Sequence, residues 1–325
     1  MSQPVFASLL ADRFMDFVSF RRSGGADYCG RAKVLSYFDR FLCQQGFNNS
    51  YPTREILDCY LTSLNRLHPN TRANRLSVVR QFCSYLRQFE PHCYVPEPRA
   101  RQGPKLSRTP HIFTDDEIKA LLVAVHHLSP PGSLRPMTFY ALFGLLYTTG
   151  LRVGEAIALN LADVDLPQQR LYVHQSKFRK SRWVPMSPST CSVLERYIQE
   201  RTRIFPAAPQ DPLFVNLQGR RFFRQIVYTA FRQALSRCGL RGGKGDRGPC
   251  IHDLRHSYAC NRLLAWYRQE RDVNALLPAL ATYLGHVSIT YTQVYLRATA
   301  ELLEMANQRF HNNFLQNVLK KGERT

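Results

Sequence analysis

Two short stretches towards the C-terminal end carry side chains suited to work on an anion. One reads His252-Asp253-Leu254-Arg255-His256; the other runs from Leu284-Gly285-His286 to Tyr291 and Tyr295. Far upstream, Thr149-Gly150-Leu151-Arg152-Val153-Gly154-Glu155 adds a second arginine after a glycine turn. Arginines that grip one anion, beside a phenol that can attack it, point to phosphoryl transfer onto tyrosine. Attack on a phosphodiester needs charge neutralised on the non-bridging oxygens, a proton taken from the nucleophile and a proton given to the leaving oxygen. Arginine suits the first task, because its planar fork binds two oxygens and stays charged at any working pH.

Each candidate also has a plainer reading. Arg152 alone could be an intrahelical partner of Glu155, worth about 0.2–0.5 kcal/mol, and Arg255 a surface arginine on an amphipathic helix. His252 and His256 are four apart on one helical face, with Cys250 and Cys260 nearby. A zinc set is disfavoured, since the glutamate of a His-Glu-x-x-His motif is absent and the cysteine spacing fits no common zinc module. His252 suits a phosphate hydrogen bond or proton transfer, whereas His256 suits a satisfied structural role. Lys177, in a basic turn, could protonate a leaving alkoxide, although a lone lysine there is usually just solvated. Four phenols, Tyr258, Tyr283, Tyr291 and Tyr295, remain open as nucleophile. A free phenol ionises near pH ~10, so cations must favour the phenolate in any of them.

The elements that must hold these groups follow from periodicity. Apolar residues at helical spacing predict four short helices in the first 90 or so residues. The first covers 6–21 with Leu9, Leu10, Phe14, Phe17 and Val18, and Asn70-Thr71 supplies cap-like residues for the fourth. Pro96, Pro98, Pro104 and Pro110 among Arg99, Arg101, Lys105 and Arg108 read as an extended basic linker over 96–110. Thr114-Asp115-Asp116-Glu117 is a capping box opening the next helix. Further helices are predicted over 137–147, from Leu151 or Arg152 to about Leu159, from Pro188, and over 223–238, 252–267, 273–283 and 298–310. Arg152 would sit in a first turn, where free N–H groups also favour an anion. Alternation over 164–166, 170–174 and 182–185 predicts a hairpin with a short strand before it, Lys177 standing near its turn. The segment 241–249 reads as a glycine-rich loop without the spacing of a P-loop.

The expected fold class is therefore mainly α with a small antiparallel β-sheet, in two domains. Among 325 residues, 44 Lys+Arg against 24 Asp+Glu leave a formal charge of +20, which suits a polyanion. No run approaches the roughly 18 apolar residues of a spanning helix, so nucleic acid is favoured over a membrane. Asp12, Arg13 and Asp16 argue against a secretory leader. Nine scattered cysteines without a Cys-x-x-Cys pair argue for a reducing cytoplasm over a disulfide framework.

These fragments, in this order, resemble the tyrosine recombinase, or phage integrase, family. The likeness rests on Thr149 to Glu155, on Lys177 with Val184-Pro185, on His252 to His256, and on Leu284-Gly285-His286 with Tyr295. More loosely, Asn70 to Leu76 with Phe82 resembles the family's N-terminal core-binding domain. The resemblance implies a helical core-binding, DNA-clamping domain over 1–95, an α+β catalytic domain over 111–312 and a C-terminal tail over 313–325. It implies that Arg152, His252, Arg255 and His286 surround the scissile phosphate and that Lys177 protonates the leaving 5′ oxygen. Tyr295 would be the nucleophile, because in the family it follows the Leu-Gly-His histidine by nine positions, which sets Tyr291 aside. Glu155 would orient the basic groups, with His256 in support.

The implied function is site-specific cutting and rejoining of DNA through a 3′-phosphotyrosyl link, with no metal or cofactor, for integration, excision or transposition of a mobile element. The implied partners are double-stranded DNA carrying a specific site, further copies in a tetramer on that DNA, and sister recombinases or accessory proteins, at the nucleoid in the cytoplasm. A non-catalytic accessory subunit and a type IB topoisomerase-like activity are the alternatives. Phe178 and Arg297 depart from the family's usual Gly and His.

Overall fold

A computed structural model describes residues 5–25, 28–97, 110–174, 181–241, 248–286, 288–293, 295, 304 and 308. The chain divides into two compact units, Met1–Ser107 and Arg108–Thr325. The expectations for 98–109, for the turn bearing Lys177, for the tail and for the helix over 298–310, apart from residues 304 and 308, which are helical, fall on residues outside the described set.

Among its described residues the first unit holds four helices: α1 (Ala11–Ser23), α2 (Cys29–Gln44), α3 (Arg54–Ser63) and α4 (Pro69–Leu86). Their inward faces meet at Phe14, Phe17, Phe38 and Phe82, all essentially inaccessible. Phe14 stacks on Phe82 at 4.2 Å between centroids, an offset contact that aromatic quadrupoles favour. Helix α1 starts at Ala11, later than the periodicity predicts. The backbone N–H groups of Ala7 and Ser8 donate to the buried carboxylate of Asp39 at 2.9 and 3.0 Å, which holds that segment out of the helix. Leu9 is consequently exposed while Leu10 packs inward. Asn70 and Thr71 also differ from expectation. They lie within the first turn of α4, and the N-cap is His68, whose ring accepts from the Asn70 N–H, with Pro69 as the first helical residue.

The second unit is built around α6 (Leu134–Thr149), which packs against α5 (Asp115–Val125), α8 (Pro188–Ile204) and α10 (Asp253–Arg268). Apolar residues cover most of the circumference of α6, with Phe139, Leu142, Phe143 and Leu146 buried, as a helix enclosed by neighbours requires. Helix α5 opens on the expected box: Thr114 Oγ1 accepts from the Glu117 N–H, and Glu117 accepts from the Thr114 N–H.

Short α7 (Val153–Ala158) leads to an antiparallel sheet of β1 (Val164–Asp165), β2 (Arg170–Val173) and β3 (Arg182–Pro185), in the order β1-β2-β3. Leu171 pairs with Val184 and Tyr172 with Trp183, so the aliphatic pair faces the core and the aromatic pair faces outward. Helices α9 (Arg224–Arg237), α11 (Val273–Leu284) and the single turn α12 (Thr290–Gln293) also belong to this unit. Among the described residues no helix is long and apolar enough to cross a membrane.

Two helix ends decide where the functional groups lie. Helix α6 stops at Gly150 (φ 63°) and α11 at Gly285 (φ 66°), both left-handed caps that glycine adopts without steric cost. A Cβ on Gly150 would stand 2.6 Å from Tyr258 Cδ1. Gly150→Ala should therefore destabilise by about 2–4 kcal/mol, from the positive φ and the overpacking together. Urea denaturation checks this; a change below about 0.5 kcal/mol would contradict it.

Candidate active site

The C-terminal ends of α6 and α11 offer backbone carbonyls that no helical N–H reaches, and three arginines converge on them. Arg255, in the first turn of α10, is 2% exposed. Its Nη1 donates to Gly150 O at 2.7 Å and its Nη2 to Leu284 O at 2.6 Å. Burial pushes its pKa down to about 10, with Arg152 acting the same way and Tyr295 and Glu155 opposing, so it stays charged at neutral pH.

Arg152 is the N-cap of α7 in extended conformation and does not occupy the first turn, as the sequence had suggested. Its backbone N–H donates to Glu155 Oε2 at 3.0 Å, which sets the helix start one residue later. The guanidinium donates from Nη1 to Glu155 Oε1 at 2.8 Å and from Nη2 to Gly285 O at 3.0 Å. The pairing of Arg152 with Glu155 is thus real, but Glu155 is buried and takes part in more than a surface pair. Arg182 donates to the same carboxylate, Nη2 to Oε2 at 3.0 Å and Nη1 to Oε1 at 3.3 Å, and its Nε donates to Tyr283 O at 2.6 Å. Burial works to raise the pKa of Glu155; hydrogen bonds and charge from Arg182, then Arg152, outweigh it and hold the carboxyl below its usual range.

His286 follows the α11 cap. Its Nε2 lies 3.0 Å from Arg255 Nη2 and its Nδ1 2.9 Å from Thr292 Oγ1. A guanidinium only donates, so Nε2 accepts and the ring proton resides on Nδ1, donated to Thr292. His252 is the residue before α10 and is exposed. The surrounding protein pushes its pKa down to about 4, helped by the positive charges of His256, Arg255 and Arg152. The His286 pKa falls to about 4 by desolvation, with Arg255 and Arg152 next in effect.

The ring of His256 lies perpendicular to His252 at 4.8 Å and 5.3 Å from Tyr295, whose ring is 6.1 Å from His286. Tyr295 is 3% exposed. Burial raises its pKa, while the charge and hydrogen bonding of Arg255 work against the rise. Tyr258 and Tyr283 are occupied otherwise: they stack on each other at 5.4 Å, and Tyr258 packs against Gly150. The side chain of Tyr291 and the whole of Lys177 fall outside the described residues.

Arg152, Glu155, His252, Arg255, His256, His286 and Tyr295 are therefore brought together from α7, α10, α11 and the segment after it. Sequence reasoning passed over Arg182, Asp253 and Thr292. Arg182 gave a readable signal, because period-two alternation puts it on the same face of β3 as buried Val184, and an inward arginine needs an acceptor. Asp253, 2% exposed, accepts from the Cys250 N–H at 2.8 Å and so fixes the start of α10; an acidic residue in a first turn was the clue. Thr292 had no signal beyond its place between Tyr291 and Tyr295.

A mostly helical unit with a small three-stranded sheet thus gathers arginines, histidines and a tyrosine at two helix ends. The chain belongs to the phage integrase family, whose model matches residues 111–301, and so to the tyrosine recombinases, enzymes of site-specific DNA recombination. It is 36% identical over 304 residues to the "Putative integrase/recombinase y4rB" of Sinorhizobium fredii, covering 92% of this chain and 96% of that one. Identity to the tyrosine recombinase XerC of Roseiflexus sp. is 32% over 234 residues, 71% of this chain and 69% of the relative. The XerH site-specific recombinase in its post-cleavage complex shares the fold, with a TM-score of 0.64 and 20% identity over 86% of this chain and 79% of that one. Lambda integrase (75-356) does likewise, with a TM-score of 0.60 and 17% identity over 89% of this chain and 95% of that one.

Two outcomes are expected from the electrostatics. Glu155→Gln removes the shared anion from between two arginines and should cost about 3–5 kcal/mol, read by urea denaturation; a loss below about 1 kcal/mol would contradict the pairing. His252 and His286 ionise near 4 in the folded chain against a reference value of 6.5. The unfolded chain thus binds more protons between those values, so stability falls as pH drops from 6.5 towards 4 and is flat in these groups above. NMR of the two imidazoles should show no titration until below pH ~5, whereas midpoints near ~6.5 would refute the assignment.

Proposed function

We propose that this protein cuts and rejoins DNA strands through a covalent link between Tyr295 and a 3′ phosphate, at a specific site, to move a mobile element. The observation that carries the reading is the convergence of Arg152, Arg255, His286 and the Tyr295 phenol on one pocket whose carboxylate, Glu155, is already paired. In the first step the phenolic oxygen attacks phosphorus, and its proton passes to a neutral imidazole of the pocket. The bond from phosphorus to the 5′ oxygen breaks, and Lys177 gives that oxygen a proton. Remaining N–H groups of Arg152 and Arg255 neutralise the non-bridging oxygens, with His252 beside them. The phosphotyrosine keeps the bond energy of the diester, so a 5′ hydroxyl of another strand reverses the step without ATP.

The +20 charge supports double-stranded DNA as the partner, with the N-terminal helical unit as a clamp on its backbone. Self-association as a tetramer on paired sites is supported by the solved structure of a lambda integrase tetramer bound to a Holliday junction, and the same reading has the protein act at the nucleoid in the cytoplasm. A mobile-element role is supported by the likeness to an integrase/recombinase and by the shared fold of the Tn1549 transposon integrase. The reading is tested with nicked duplexes tiled across the DNA that flanks the gene. A covalent protein–DNA adduct should form, and Tyr295→Phe should abolish it while retaining salt-sensitive binding. Persistence of the adduct in that variant would refute the assignment of Tyr295. Binding without an adduct in the parent would favour an accessory subunit.

A further inference from the structure

Arg182 lies beside Arg152, on the same carboxylate and against the same glycine, yet its donors are spent differently. Its Nη1 and Nη2 both point to Glu155, at 3.3 and 3.0 Å, and its Nε is held by Tyr283 O at 2.6 Å. The side chain is 11% exposed, against 25% for Arg152. A Cβ on Gly285 would stand 3.0 Å from Arg182 Nη1 and 3.3 Å from Arg152 Nη1, so both guanidinium groups occupy the space that glycine leaves. Arg182 therefore turns its whole fork inward, towards the carboxylate and a helix-end carbonyl. The Arg152 guanidinium commits one N–H to Glu155, by Nη1 at 2.8 Å, and another to Gly285 O, by Nη2 at 3.0 Å, and keeps more of its surface open.

A buried carboxylate that faced Arg152 alone would cancel that charge and draw the guanidinium away from an incoming anion. With both oxygens already held by a second cation, Glu155 fixes the place of Arg152 without neutralising it. We propose that Arg182 is a positioning residue for strand transfer: by occupying both oxygens of Glu155 it leaves Arg152 in place with uncompensated charge for the scissile phosphate. The inference rests on the strand-transfer reading above and adds a role for a side chain that need not touch DNA.

The test measures the single-turnover rate of adduct formation on the nicked flanking duplex that the parent attacks, with DNA affinity measured in parallel. Arg182→Met should slow adduct formation by about 100-fold, as a misplaced catalytic group does, with affinity changed by less than about threefold. Arg182→Lys, which keeps the charge and loses the fork, should fall between parent and Arg182→Met. Adding Glu155→Gln to Arg182→Met removes the carboxylate left facing Arg152 and should recover about tenfold of the lost rate. A merely structural role would make the two losses add. The Arg182→Met variant should also gain on the parent as pH is lowered, when its less strongly paired Glu155 takes up a proton. A rate for Arg182→Met within about twofold of the parent, or additive losses in the double variant, would overturn the inference while leaving the strand-transfer reading intact. A parent that binds but forms no adduct would overturn that reading and the inference together.

Discussion

A guanidinium removed from water must have its N–H groups met, and here the acceptors are the spare carbonyls at the ends of two helices. Arg255 bridges Gly150 O and Leu284 O, Arg152 reaches Gly285 O, and Arg182 reaches Tyr283 O. These carbonyls also lie at the negative ends of the α6 and α11 dipoles, which favour cations. The left-handed glycine caps end each helix where those carbonyls can turn towards the arginines. Much of the second unit follows from this requirement. Helix α6 must be long and enclosed to present Gly150 at a fixed place, and α10 must begin where Asp253 holds it so that Arg255 reaches both helix ends.

The charge arrangement follows from the same contacts. Arg152 and Arg182 share the buried carboxylate of Glu155 while Arg255 donates to backbone carbonyls, so the pocket keeps positive charge in the absence of an anion. Desolvation, with that surplus adding to it, drives both His252 and His286 towards their neutral forms. A phosphate entering the pocket would relieve the like-charge repulsion and give the imidazoles reason to take up protons. Binding and proton transfer are thus coupled through the electrostatics of one site. Tyr295 is almost fully covered, which raises its pKa, and its ionisation is eased by Arg255 and, less, by Arg152.

Much of this was legible in the sequence, because helical periodicity, the Thr114 capping box and the alternation in β2 and β3 are local signals. The Gly150 and Gly285 turns were legible too, as glycines that close apolar helices. What stayed hidden was set by contacts between distant segments. Asp39 shortens α1 by accepting from Ala7 and Ser8, and no local pattern announces that. His68 caps α4 although Asn70 and Thr71 are the better capping types, because Pro69 already occupies the first helical position. Arg182 was not among the candidates, and only the fold shows it aimed at Glu155. Spacing alone could not choose among the phenols. The stacking of Tyr258 on Tyr283 accounts for two of them, and the rings of His256 and His286 around Tyr295 set it beside the arginines, while the Tyr291 side chain lies outside the described residues.

The central claim is that this one pocket delivers a phosphate to one phenol. The most direct measurement is to trap the covalent complex on a nicked duplex, digest the DNA and the protein, and locate the remaining nucleotide by mass spectrometry of the peptides. The account predicts a 3′-phosphonucleotide on Tyr295. A nucleotide on Tyr291 or on any serine or threonine would contradict it.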